Sequence, residues 1–114
     1  MTKKPRRPTG RSKKLDVVWT DSALRDLERI DSYIATDNPL AAEKWIQKLI
    51  AAGQAAAMAP MAGRMVLEKQ RPDIRETLLR NYRIVYFVRA DRIDILTVFE
   101  GHRLFPENAV PDED

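Results

Sequence analysis

Tyr82-Arg-Ile-Val-Tyr-Phe-Val-Arg-Ala-Asp-Arg-Ile-Asp-Ile-Leu-Thr-Val-Phe-Glu-Gly-His-Arg103 is the stretch that decides the fold. Two runs rich in Ile, Val, Tyr, Phe and Thr flank the short polar break Arg89-Ala-Asp-Arg92. β-Branched and aromatic side chains pack well on a pleated surface, so both runs read as strands. The break is short enough to make them an antiparallel hairpin. Alternation places Ile84, Tyr86 and Val88 on one face of the first run, with Val85 and Phe87 on the other. In the second run it groups Ile93, Ile95, Thr97 and Phe99 against Leu96 and Val98. Neither face is cleanly polar, which puts the hairpin at mid-sheet. Its far end, Glu100-Gly101-His102-Arg103, gathers the densest set of chemically capable side chains in the chain.

Moving outward, Ile74 to Leu79 reads as a further strand, and Met65 to Lys69 as another, separated by the turn Gln70-Arg-Pro-Asp73. Upstream lie two amphipathic helices. Ala23, Leu27, Ile30 and Ile34 form the apolar stripe of the first, opened by Thr20-Asp21-Ser22. Asp26 falls mostly off that stripe and is expected to face water, as are its charged neighbours. Asn38-Pro39 starts the second helix, whose stripe is Ala42, Trp45, Ile46, Leu49, Gly53 and Ala56. Pro60 closes it, and a short strand, Leu15 to Trp19, precedes both. The order β-α-α-β-β-β predicts an α+β domain. It comprises an antiparallel sheet of about four strands with an N-terminal helical hairpin packed on one face.

The 114 residues suit a single domain, and 44% hydrophobic content is enough for a core. Without cysteine there is no disulfide, thiol chemistry or thiolate metal site. One histidine makes a His-based metal centre improbable, so neither a metal nor a cofactor is expected. No apolar run approaches the ~20 residues of a membrane span, and no signal-peptide core follows the basic start, so the expectation is a cytoplasmic protein without a membrane partner. The net charge of +3 divides unevenly. Residues 1–14 hold seven Lys/Arg and no acid, and read as a disordered basic arm, either merely solvated or touching an acidic partner or nucleic acid. Residues 107–114 hold four acids and no base, and read as a frayed acidic tail. Residues 15–106 hold 13 bases and 13 acids, so the domain itself lacks the positive field of a large nucleic-acid grip.

An ordered set of residues along the domain resembles the RelE/ParE superfamily of bacterial type II toxins. It runs from Trp19, Ala23, Asp26, Leu27, Ile30, Tyr33 and Ile34 through Pro39, Ala41 and Ala42 to Pro60, Gly63 and Arg64. It continues with Arg75-Glu76, Tyr82-Arg-Ile-Val-Tyr86, Ile95-Leu96, Val98 and Gly101-His-Arg103. The resemblance covers about residues 15 to 106. It implies a toxin neutralised by a cognate antitoxin, acting in one of two ways. RelE-like members cut mRNA in the ribosomal decoding site; ParE-like members inhibit DNA gyrase without known nuclease chemistry.

Ribosome-dependent cleavage needs a base for the ribose 2′-hydroxyl, cations for the pentavalent phosphate and an acid for the leaving oxygen. The candidates are Arg64, Arg75, Arg83, Glu100, His102 and Arg103, with His102 as acid or base. Against this, no lysine cluster follows the second helix, no tyrosine follows Tyr86, and the domain is neutral. Pro60-x-x-Gly63-Arg64 and Gly101-His-Arg103 resemble the ParE-like pattern. The sequence thus favours a ParE-like gyrase inhibitor with no catalytic residues, the nuclease being the alternative. An apolar sheet face left open by the helices would receive the antitoxin. Tyr86, Val88, Ile95, Val98, Phe99, Leu104 and Phe105 are the expected contacts.

Overall fold

The computed structural model describes residues 15–112. The basic arm, residues 1–14, and the last two positions of the acidic tail lie outside the described residues. The elements are β1 (Asp16–Trp19), α1 (Asp21–Ala35), α2 (Pro39–Ala56), β2 (Arg64–Met65), β3 (Ile74–Leu79), β4 (Tyr82–Val88) and β5 (Arg92–Glu100). Single 3₁₀ turns occupy Pro60–Ala62 and Glu107–Ala109. The α+β class, the helical hairpin on one face and the central β4–β5 ribbon are as the sequence predicts.

The sheet differs in detail. It has five strands in the order β1-β5-β4-β3-β2 and is mixed. β1 runs parallel to β5, with Val17 opposite Ile93 and Trp19 opposite Ile95. The chain leaves β1 into the helices and returns to the sheet at its opposite edge, so β5 reaches β1 in the same direction. The strand expected over Met65 to Lys69 shrinks to two residues. Beyond it the chain turns back on itself, the amides of Lys69 and Gln70 both donating to the Val66 carbonyl.

Each helix starts as its cap residue dictates. The Thr20 hydroxyl accepts from the Ala23 amide at 3.2 Å and donates to the Ile95 carbonyl at 2.8 Å. The α1 cap therefore also ties the helix start to β5. Asn38 accepts from the Ala41 amide at 3.0 Å, with Pro39 in the first turn of α2. Gly53 lets α2 approach the sheet closely, since a Cβ there would lie 2.7 Å from the Trp19 ring.

Two apolar clusters fill the molecule. The larger lies between helices and sheet and includes Ala23, Leu27, Leu49, Tyr82, Ile84, Tyr86, Ile93, Ile95 and Val98. The smaller lies on the opposite sheet face: Val66, Ile74, Val85, Leu96, Phe99 and Val110. A β-bulge decides which set the end of β5 joins. Val85 pairs with Thr97, but Tyr86 pairs with Ile95, so Leu96 is the extra residue. Strict alternation fails there, and the faces of Val98 and Phe99 are exchanged relative to the sequence reading.

Asp26 anchors α1 at this bulge. It is buried rather than facing water. Its carboxylate accepts from the Thr97 hydroxyl at 2.6 Å and the Val98 amide at 3.0 Å. Its other oxygen accepts from Arg29 at 2.8 Å. A buried carboxylate is tolerated where donors replace its hydration, and a bulge supplies a free amide.

Candidate functional site

The sheet face away from the helices carries an ion network built by strand register. Arg64 of β2 sits directly opposite Glu76 of β3, and Glu76 sits opposite Val85 of β4. Arg83, two residues from Val85, is the diagonal neighbour of Glu76 on the same face. Glu76 is 1% exposed. Its oxygens accept from Arg64 Nε at 2.7 Å and Arg83 Nε at 2.6 Å. The remaining nitrogens of Arg83 donate to both oxygens of Glu68, each at 2.8 Å. Hydrogen bonding from Arg83 pulls the Glu68 carboxyl down to about 2, and the same bond, with Glu76 behind it, stabilises the charged guanidinium. The guanidinium also lies 5.1 Å from the Phe99 ring centre and 5.6 Å from that of Phe105.

The smaller apolar cluster is covered by the chain itself. After Phe105 the backbone turns through Glu107–Ala109 and crosses this face, burying Val110. Phe105 meets Phe99 edge to face at 5.7 Å, Lys69 pairs with Glu107 at 2.6 Å, and Arg71 donates to the Pro111 carbonyl at 2.8 Å. What read as a frayed acidic tail is, as far as residue 112, a strap held to the domain by apolar and ionic contacts. Its acids give no hint of this, because the one buried group, Val110, is a single large apolar side chain with no periodic partner in the segment.

These arrangements correct the expected partner surface. Tyr86, Ile95 and Val98 are fully buried beneath the helices, where the bulge and the pleat direct them. Val88 is half-buried against the same cluster. Phe99 is buried on the opposite face, under Phe105. Phe105 is half-buried, and Leu104 is 95% exposed. Of the expected contacts only Leu104 stands fully open.

The candidate nuclease residues come together only in part. Arg64, Arg83 and His102 border one shallow groove at the β3–β4 turn, where Arg64 and Arg83 are held by carboxylates and a third arginine, Arg80, lies over the Trp45 ring. Arg75 is tied to the carbonyls of Pro72 and Gly63. Glu100 accepts from Asn81 at 3.1 Å and lies 4.0 Å from His102, whose side chain is open to solvent. Arg103 lines a second cleft, on the helix side, which Glu100 and His102 also border together with Arg29, Tyr33 and Tyr82. Glu68 and Glu76, which neutralise the cations, are the residues that pattern reading passes over, since their pairing depends on register. Among the described residues no group of three or more His, Asp or Glu side chains could hold a metal ion, and no helix is long and apolar enough to cross a membrane.

A two-helix hairpin on a mixed five-stranded sheet, with a paired ion network and a self-covered outer face, defines a small α+β domain. Residues 17–105 match the family described as the ParE toxin of the type II toxin–antitoxin system parDE, and the chain belongs to this family, within the RelE/ParE superfamily. It is 36% identical over 91 residues to the putative toxin Y4kP of Sinorhizobium fredii, covering 78% of this chain and 91% of that protein. It is 33% identical over 88 residues to toxin RelE2 of Caulobacter vibrioides, covering 77% and 97% respectively. Its fold is that of a solved chain from the chromosomal ParDE system of P. aeruginosa, with TM-score 0.64 and 21% identity over 76% of this chain and 96% of that one.

Proposed function

We propose that this type II toxin is ParE-like: it inhibits DNA gyrase by binding, without cleaving RNA, and a cognate antitoxin neutralises it. The observation that carries this reading is the state of the cations. A nuclease of the alternative, RelE-like kind needs guanidinium groups free to meet a developing phosphorane. Here Glu76 and Glu68 already occupy Arg83, and Glu76 occupies Arg64. A guanidinium held by a bidentate carboxylate must give up that strong pair before it can meet a phosphate. His102 has Glu100 beside it, and Arg64 and Arg83, the candidate cations of its outer groove, are the ones the carboxylates hold. The match to the ParE toxin family supports the same side, while the RelE2 relative keeps the nuclease as the alternative.

The antitoxin docks, in this reading, where apolar surface is open: around Leu104 and Phe105 at the start of the strap, which an incoming apolar segment can lift from the sheet. The ParDE neighbour, solved as a toxin–antitoxin system, supports an antitoxin as the partner. The deciding experiment uses purified toxin, gyrase and relaxed plasmid. Toxin should block supercoiling in the absence of ribosomes, and antitoxin should restore it. Untouched supercoiling, together with codon-linked cuts in mRNA on translating ribosomes, would overturn the proposal in favour of the nuclease.

A further inference from the structure

A cleft of about 460 Å³ opens where α1 passes the ends of β4 and β5. It is lined by Ile30 and Val98 and by Arg29, Tyr33, Tyr82, Glu100, His102 and Arg103. Tyr82 is the unexplained group. It is 8% exposed, its ring packs 6.0 Å from Trp45, and its hydroxyl has no hydrogen-bond partner among the described residues. A polar group on a largely buried ring at a cleft wall, with no partner among the described residues, is free to donate to a molecule that enters the cleft. Burial first, then Glu100 and Tyr33 on the cleft wall, push its ionisation up, so it stays an O–H donor at neutral pH.

The cations around it also contrast with those of the outer face. Arg103 has no carboxylate partner among the described residues. Arg29 gives only Nη1 to Asp26, leaving its other donors for the cleft. Tyr33 is 79% exposed, so much of its ring is open to solvent where it lines the cleft. A volume of this size lies within the range of small-ligand sites.

We propose that the cleft binds one phosphorylated nucleoside. Arg103 and Arg29 hold the phosphate, and the Tyr82 hydroxyl donates to it. The base stacks on Tyr33, and Glu100 accepts from ribose hydroxyls. Aromatic stacking suits any base, so the site recognises the nucleotide unit rather than a sequence. The same unit arrives either as a free nucleotide or as the phosphorylated end of a strand.

The test is an amide-resolved NMR titration of the full chain with AMP, adenosine, inorganic phosphate and a 5′-phosphorylated oligonucleotide. AMP should saturate with a Kd below about 1 mM, and adenosine and phosphate should each bind at least about tenfold more weakly, the size of one lost charged contact. Arg103→Ala should weaken AMP about tenfold and Tyr82→Phe about fivefold, with Arg80→Ala, outside the cleft, unchanged. Tighter binding of the oligonucleotide than of AMP would assign the ligand to a strand end, and equal or weaker binding to the free nucleotide. No saturation by either, phosphate binding as well as AMP, or indifference to both cleft substitutions would overturn the site. Gyrase inhibition is measured separately, so failure here leaves that reading standing, and the reverse holds too.

Discussion

Replacing Asp26 with alanine should cost about 3 kcal/mol of folding stability, close to a third of what a domain of this size possesses. The magnitude follows from what the carboxylate holds. Its Oδ2 accepts from the Thr97 hydroxyl at 2.6 Å and the Val98 amide at 3.0 Å, both buried. Hydrogen bonds to a charged group contribute about 1.5–3 kcal/mol each, and alanine leaves both donors without water or partner. Part of this is returned because a buried charge is removed with them. The ion pair with Arg29, whose side chain is mostly exposed, adds only about 0.3–0.5 kcal/mol. Urea unfolding reads the result directly. With a slope of about 1.5 kcal/mol/M, the midpoint should fall by about 2 M with the slope unchanged. Asp26→Asn, which keeps one acceptor, should lose about half as much. Combining Asp26→Ala with Thr97→Val should show a coupling of about 1 kcal/mol or more, because the two side chains share a bond. A loss below about 1 kcal/mol for the alanine variant, or full additivity with Thr97→Val, would refute the claim that the helix is hooked to the bulge through this carboxylate.

Other outcomes follow from the outer face. Glu68 has its carboxyl depressed to about 2 by Arg83, so its contribution is present above the unfolded value near 4 and disappears as pH falls toward 2. Because Glu68 is 37% exposed, solvent screening limits this to about 1 kcal/mol, and Glu68→Gln should flatten that part of the stability–pH curve measured by urea midpoints from pH 6 to pH 2.5. Glu76→Ala removes the acceptor that Arg64 and Arg83 share, leaving Arg83 paired with Glu68, and should destabilise by about 1–3 kcal/mol, whereas Arg64→Ala, at the exposed end of the network, should cost about 1 kcal/mol or less by the same assay. Gly53→Ala drives a methyl into the Trp19 ring and should cost about 1–3 kcal/mol, with a changed tryptophan emission spectrum. Leu104→Asp should leave thermal stability within about 0.5 kcal/mol of the parent while weakening antitoxin binding at least about tenfold by calorimetry; unchanged affinity would remove Leu104 from the proposed contact.

The sequence by itself determined the elements and the side of the sheet the helices cover. Apolar spacing of 3.6 and 2 residues is a local property, and Ala23, Leu27, Leu49, Ile84 and Tyr86 meet where that spacing sends them. It also held enough ordered residues to place the chain in its toxin superfamily. What the tertiary structure alone decided lies in pairings between distant segments. The bulge at Leu96 exchanges the faces of Val98 and Phe99, and register brings Arg64, Arg83 and Glu76 together. Val110, Phe105 and the contacts of Lys69 and Arg71 hold the acidic strap on the sheet. Strand offset and side-chain pairing across the sheet are set by the energy of the assembled core, so no window of the sequence contains them.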